Sequence, residues 1–463
     1  MIEDIDYKPI LKKAASRGGE LAELFLEERV QTEISFEAGR LERVSFGIIR
    51  GAGVRLISGL RTRYAFTNSL LKDDLMKLAS AVSETADQQA SLIEMPMEYH
   101  QAEAKPVSKI LKPPDRVPVK EKVELIRRAE EAARKFDPHI VQVKIRYFDL
   151  ARKIGIANTR GVMISDQTTH TIFAVQVIAA KDGELQVGYD SVGGTVGWEI
   201  FEKERPEEVA LRTARRAKMM LMARKAPGGK MPVVLSSEAG GTMIHEAIGH
   251  GLEADLAEQG LSVYQGKIGA QVASKLITVV DDKTIPNRRG SYNFDDEGAP
   301  SERTILVDQG VLRNYMYDQL EAMRAGKNST ANGRRESYRF RPIVRMSNTM
   351  ILPGRTDPAE IIKSVDRGLL VRKMGGGEVD TVAGDFVFEV SEGYLIENGE
   401  QAEPVRGATL VGNGPKILME IDQVGTDLGF SLGTCGKDGQ GAPVADAQPT
   451  LRIPEIIVGG ELD

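Results

Sequence analysis

Only one cysteine occurs among the 463 residues, Cys435, so no intrachain disulfide can form. A chain without that covalent support fits a reducing compartment, and the cytoplasm is the expectation. No apolar run approaches the length of a membrane span, which predicts a chain that does not cross a bilayer by helices. The opening residues are acidic and lack the basic and apolar regions of a signal peptide. An excess of positive charge is also missing. The formal net charge is -6, which argues against general binding of nucleic acid.

What is present is a globular composition, 41% hydrophobic and 28% charged, in a chain too long for one ordinary core. Two domains are expected, residues 1–226 and 227–463. The first reads as two passes of helix, β meander and helix. The first pass has a helix near 8–16, strands over 22–67 and a helix that Ser69 could cap. A proline-rich linker over about 95–118 follows. The second pass has a helix over 119–136, strands over 140–192 turning at Asp182-Gly183, and a helix over 206–224. Residues 39–68 and 161–191 share apolar, glycine and aromatic placement. That is consistent with internal duplication, although two unrelated meanders would look alike.

The segment 226–232, with two prolines and two glycines, marks the boundary. Beyond it, residues 233–235 read as a buried strand, and Ser236 or Ser237 as the cap of a helix. Most of the rest reads as strands and glycine turns, with hairpins at Asp308-Gln309-Gly310 and Glu397-Asn398-Gly399. Strands and helices do not alternate regularly, so the fold class expected is α+β with mainly antiparallel sheets and flanking helices.

Histidine is scarce, five in the chain, yet two stand in His245-Glu246-Ala247-Ile248-Gly249-His250. Ordinary composition gives about 0.004 such arrangements by chance. Two histidines flanking a glutamate suit a metal with an adjacent general base. The spacing is one residue longer than the familiar zinc-helix pattern. In a regular helix such a pair points about 140° apart. Either a π-bulge brings the rings together, with Gly249 easing the distortion, or the helix ends early.

A catalytic zinc needs a third protein ligand and an open position. Glu253, Asp255 and Cys435 are the candidates, and thiolate is a strong zinc donor. Cys435 lies in a glycine-rich segment, expected to be a loop, that can approach a metal closely. Glu246 would act as the base. Two other segments carry charge: Asp295-Asp296-Glu297, which could orient a ligand histidine, hold a substrate amine or be a solvated turn, and Arg334-Arg335. The arginines suit a substrate carboxylate, a nucleic acid or plain surface solvation.

The chain resembles the TldD/PmbA family, specifically its TldD-type catalytic subunit. The likeness rests on residues 243–253 around the histidine motif, Asp295-Asp296-Glu297-Gly298 and Asn332-Gly333-Arg334-Arg335. It rests also on Gly384-Asp385-Phe386-Val387-Phe388, Gly412-Asn413-Gly414, Cys435-Gly436-Lys437 and Gln448-Pro449-Thr450-Leu451-Arg452. The resemblance implies a zinc peptidase acting on unfolded or small peptides. It implies that His245, His250 and Cys435 bind one zinc and that Glu246 is catalytic. It further implies pairing with a homologous PmbA/TldE-type subunit that lacks the motif, with a homodimer as the alternative. A zinc-containing module that only binds peptides, or a metal-dependent hydrolase of another amide, would fit the same residues.

Overall fold

A computed structural model describes residues 5–87, 90–102 and 106–461. Most of the acidic opening segment, and residues 103–105 of the expected linker, lie outside the described residues.

The first half builds one sheet. Strands β1 (Leu21–Glu37), β2 (Arg40–Ser58) and β3 (Arg61–Thr67) lie between helices α1 (Tyr7–Ala14) and α2 (Lys72–Glu84). After the short strand β4 (His100–Gln101) come helix α3 (Val119–Arg134) and strands β5 (Ile140–Asn158), β6 (Val162–Lys181) and β7 (Glu184–Gly194). Helices α4 (Ile200–Lys203) and α5 (Pro206–Met222) close the half. Strand β1 pairs antiparallel with β5, so the two passes meet at the centre of the sheet and run outward as β1-β2-β3 and β5-β6-β7. The turn at Asp182-Gly183 has both residues at positive φ, 51° and 85°, as a tight two-residue hairpin requires.

Ser69 does not cap α2. Its hydroxyl accepts from the Leu71 N–H, two residues on, and the helix starts after Leu71 with no side-chain cap.

Successive side chains of a strand point to opposite faces. In β1, Leu24 and Leu26 pack under α1 and α2 with Val54, Leu56, Leu75 and Val82. Phe25 points the other way, into a cluster with Ile154, Ile156 and Ile164 that also takes in Phe294 and Tyr338 from the second half. One face of the sheet is therefore covered by its own helices and the other by the rest of the chain.

In the second half the strands Arg367–Val379, Gly229–Leu235, Leu451–Gly459, Thr409–Asn413 and Asp385–Glu397 pair in that order. The first and last of these also pair, so the five close into a ring. A six-stranded sheet stands beside it. Its last two strands, Gln440–Gln448 and Gly429–Lys437, form a hairpin, and Gly429–Lys437 is the edge. Antiparallel pairing dominates throughout, with helices packed on the sheets: an α+β fold. Both expected hairpins form, with Gln309-Gly310 and Asn398-Gly399 at positive φ. Met243, Ile244, Ala247, Ile248 and Leu252 of the histidine segment are buried in the core cluster of this half.

Candidate metal centre

The histidine segment is not one regular helix. Ser236 caps only a short 3-10 turn, Ser237–Ala239, by accepting from Glu238 N–H. Gly240 then breaks the helix at φ 72°. A fresh helical turn, Thr242–Ile244, has Gly241 at its start and no side-chain cap. It runs into a π-turn over His245–Gly249 and a 3-10 turn over His250–Leu252. His250 N–H donates to the His245 carbonyl, five residues back. That wider turn brings the two imidazoles to one side, their ring centroids 4.9 Å apart and their planes nearly perpendicular at 88°.

Gly249 has ordinary helical torsions, φ -55° and ψ -57°, so the expectation that it eases distorted torsions does not hold. Its reason is space. A Cβ there would overlap the sulfur of Met346. Gly241 and Gly251 are as confined, against the backbone of Asp446-Ala447 and the ring of Tyr264.

Each imidazole is held through Nδ1. His245 Nδ1 is 2.7 Å from Asp446 Oδ1, and His250 Nδ1 is 2.9 Å from Glu253 Oε2. These bonds put the ring N–H on Nδ1 and leave the lone pair of each Nε2 free to bind a metal ion, and Cys435 Sγ lies 3.4 Å from His250 Nε2. The three ligand atoms of His245, His250 and Cys435 all lie within 4.8 Å of one another. Zinc–nitrogen and zinc–sulfur bonds of 2.0–2.1 and 2.3 Å at tetrahedral angles would set nitrogen and sulfur about 3.5 Å apart. The set fits a zinc-sized ion.

Cys435 sits in a strand rather than in a loop. It pairs opposite Ala442 in the hairpin whose turn is Asp438-Gly439. The same hairpin supplies Asp446, so one β-turn positions both a ligand and the carboxylate that orients another. The alternative ligands are engaged elsewhere. Glu253 holds His250, and Lys437 Nζ bridges Glu253 at 3.0 Å to Asp255 at 2.6 Å.

Burial opposes ionisation of the Cys435 thiol, but hydrogen bonds and charge from His245 and His250 bring it down to about 5. Burial pulls His250 down while Glu253 and Cys435 raise it, to about 9. Burial also disfavours a charged His245, yet Asp446 and Cys435 raise it well above the usual range. Burial lifts the Glu246 carboxyl, opposed by the two histidines. Glu246 is only partly buried, and its carboxylate has no hydrogen bond or ion pair with another described residue.

None of Asp295, Asp296, Glu297, Arg334 and Arg335 bonds to a member of this cluster. All five are buried where the two halves meet. Glu297 pairs with Arg55, Asp296 with Arg152 at 2.8 Å, and Arg335 with Glu23 at 2.6 Å. Asp295 accepts from Glu297, Ala299 and Gly333 N–H groups, and Arg334 donates to the Met346 carbonyl. Asp446 and Met346 were missed by the sequence reading, since neither carries a local motif. The only signal for Asp446 was the hairpin turn at 438–439, which fixes its register.

The chain matches, in order, the PmbA/TldA metallopeptidase domain 1 over residues 22–86, the central domain over 112–221 and the C-terminal domain over 228–460. A Haemophilus influenzae protein called a metalloprotease TldD homolog is 36% identical over 451 residues, covering 96% of this chain and 94% of its own. A solved Thermotoga maritima structure has a TM-score of 0.81 at 23% identity, covering 99% of this chain and 100% of that one. The structure of TldE from Thermococcus kodakarensis gives 0.77 at 17% identity, covering 98% and 99%. At those identities the two structures speak for the fold alone. Sequence likeness over nearly the whole length carries more: the chain belongs to the PmbA/TldD family of metallopeptidases.

Proposed function

We propose that this chain is a cytoplasmic zinc peptidase that hydrolyses peptide bonds in unfolded or small peptides, with Glu246 as general base. The observation that carries the reading is the convergence of two imidazoles and a thiolate beside an unpaired carboxylate. A purely structural zinc closes its shell with a fourth ligand, and here Glu253 and Asp255 are turned to Lys437 instead. His245, His250 and Cys435 would hold the ion, which when bound would supply Lewis acidity to the scissile carbonyl and the attacking water. Asp446 and Glu253 fix both rings so that Nε2 faces it. Glu246, its carboxyl raised by burial, accepts the proton of the attacking water and returns it to the leaving amine.

Cys435 lies on an edge strand whose only strand partner among the described residues is Gln440–Gln448. A peptide can add to such an edge through backbone groups alone, which would give broad sequence tolerance and reject folded proteins. The active form would pair with a homologous subunit lacking the motif, or with a second copy; the fold shared with TldE supports such pairing. Among the described residues no helix is long and apolar enough to cross a membrane.

The test is to follow cleavage of an unfolded polypeptide and of a stably folded protein, for this chain alone and with a co-purified homologue, before and after chelation. The reading expects cleavage of the unfolded substrate only, lost on chelation and regained with zinc. Zinc bound without cleavage in either preparation would favour a binding module. Selective cleavage of a non-peptide amide would favour another hydrolase.

A further inference from the structure

The edge strand Gly429–Lys437 ends on a lysine in an unusual place. Only 10% of the Lys437 side chain is exposed, although lysine is rarely buried unless paired. Its Nζ carries three N–H donors, and each finds an acceptor: Glu253 Oε2 at 3.0 Å, Asp255 Oδ1 at 2.6 Å and the Val344 carbonyl at 3.1 Å. With all three engaged, the ammonium is not placed to hold a substrate oxygen. It acts on the protein itself.

What it acts on is chiefly one atom. Glu253 Oε2 also accepts from His250 Nδ1, at 2.9 Å. Glu253 Oε1 is buried with no hydrogen-bond partner among the described residues. The carboxylate is therefore steered through Oε2 alone. The Glu253 side chain is wholly buried, and Lys437 is the one lysine or arginine that pairs with it among the described residues. Without that ammonium the buried carboxylate keeps no fixed counter-charge. It is also free to turn about its last torsion, and the ring of His250 turns with it.

Strand geometry closes the circuit. Lys437 and Cys435 are two apart in one strand, so their side chains leave the same face about 7 Å apart. Lys437 pairs with Gln440 as the last pair before the turn Asp438-Gly439, whose positive φ angles of 50° and 69° suit a two-residue hairpin and fix the register. From Cys435 the path runs along the strand to Lys437, then through Glu253 to Nδ1 of His250. From that ring's Nε2 it returns to Cys435 Sγ, 3.4 Å away. The other arm of the hairpin carries Asp446, which holds His245. One hairpin thus fixes both imidazoles, His245 directly and His250 through Lys437 and Glu253.

We propose that Lys437 is a positioning residue for the metal centre. Its ammonium ties Glu253, and through it the ring of His250, to the strand that carries Cys435, so that two ligands stand together before the ion arrives. Lys437 has this role only if His245, His250 and Cys435 hold one zinc, as proposed above.

The test uses the full chain and zinc alone, titrated against a chelator of known affinity. Lys437→Met keeps the length of the side chain and loses the charge. It should weaken zinc binding by about 10–100-fold, the usual effect of disturbing the partner of a ligand imidazole. In a chain that already carries Glu253→Gln, the same change should cost no more than about 2-fold, because residues that act through one another are not additive. A lysine needed only for folding would cost the same in both backgrounds. Crystals of the natural chain, zinc-loaded and chelated, need no variant and decide even if Lys437→Met fails to fold. In both, Lys437 Nζ should stay bonded to Glu253 Oε2 and the His250 ring should keep its place. Equal zinc affinity in the natural chain and Lys437→Met, equal losses in the two backgrounds, or zinc-free crystals with Lys437 turned away from Glu253, would overturn the proposal and leave the zinc reading standing. A natural chain that binds no zinc would overturn both.

Discussion

The backbone N–H of His250 donates to the carbonyl of His245, and this one wide turn sets both rings on the same side of the segment. The turn is held from outside, because Met346 Sδ fills the space beside Gly249. Alanine at 249 suits the torsions but not the space. Gly249→Ala should lower zinc affinity and cost about 1–3 kcal/mol of stability, as overpacking does. Adding Met346→Ala should restore the affinity, since it removes the atom the new methyl meets. Zinc titration of the single and double variants checks this; an affinity loss unrelieved by the second change would place the constraint elsewhere.

Asp446 orients His245 from across the hairpin. Asp446→Asn should weaken zinc binding by about 10–100-fold, the usual effect of losing the carboxylate behind a ligand imidazole. Competition with a chelator of known affinity measures it. Unchanged affinity would mean that the ring is held by packing alone.

The acidic segment joins the halves. Arg55 and Glu297 are both fully buried and paired, and Glu297 also accepts from the Gln319 N–H at 2.7 Å. Glu297→Ala leaves Arg55 without its counter-charge and should destabilise the fold by about 3–5 kcal/mol. Denaturant unfolding gives the number. A raised KM at unchanged stability would instead restore the substrate role that its sequence suggested.

Asp318 caps the helix Gln319–Ala325 by accepting from Glu321 N–H at 2.7 Å, and burial raises its carboxyl to about 6. Unfolding returns it to about 3.8. Between those values the folded chain binds more protons, so this group's contribution is most favourable below pH 4 and declines as pH rises through 6. The decline is of order 3 kcal/mol. Asp318→Asn keeps the cap acceptor without the charge. It should therefore be more stable than the natural chain at pH 8, with the gap closing by pH 4. A gap that does not vary with pH would show that Asp318 does not titrate in this range.

Much of this was legible because it is local. The tight turns at 182–183, 309–310 and 398–399 announce themselves by composition, and two histidines around a glutamate are rare enough to mark a metal site. The need for a backbone irregularity followed from helix geometry. Cys435 was expected in a loop because glycines surround it, but hairpin pairing overrode that local preference. What sequence could not supply is the partner of a residue far along the chain. Asp446 meets His245 across 201 positions, and Arg335 meets Glu23 across 312. Read alone, the runs at 295–297 and 334–335 look like solvated or ligand-binding charge. Their burial becomes evident only once a second surface of opposite charge is folded against them.

The central claim is that Glu246 moves protons while His245, His250 and Cys435 hold the metal. It is tested most directly by measuring zinc per chain and peptide turnover together for Glu246→Ala. The account predicts one zinc per chain, as in the natural protein, and turnover lower by about 10²–10⁴-fold. Zinc lost in step with activity would make Glu246 a ligand, and full turnover with zinc retained would contradict the assignment of the base.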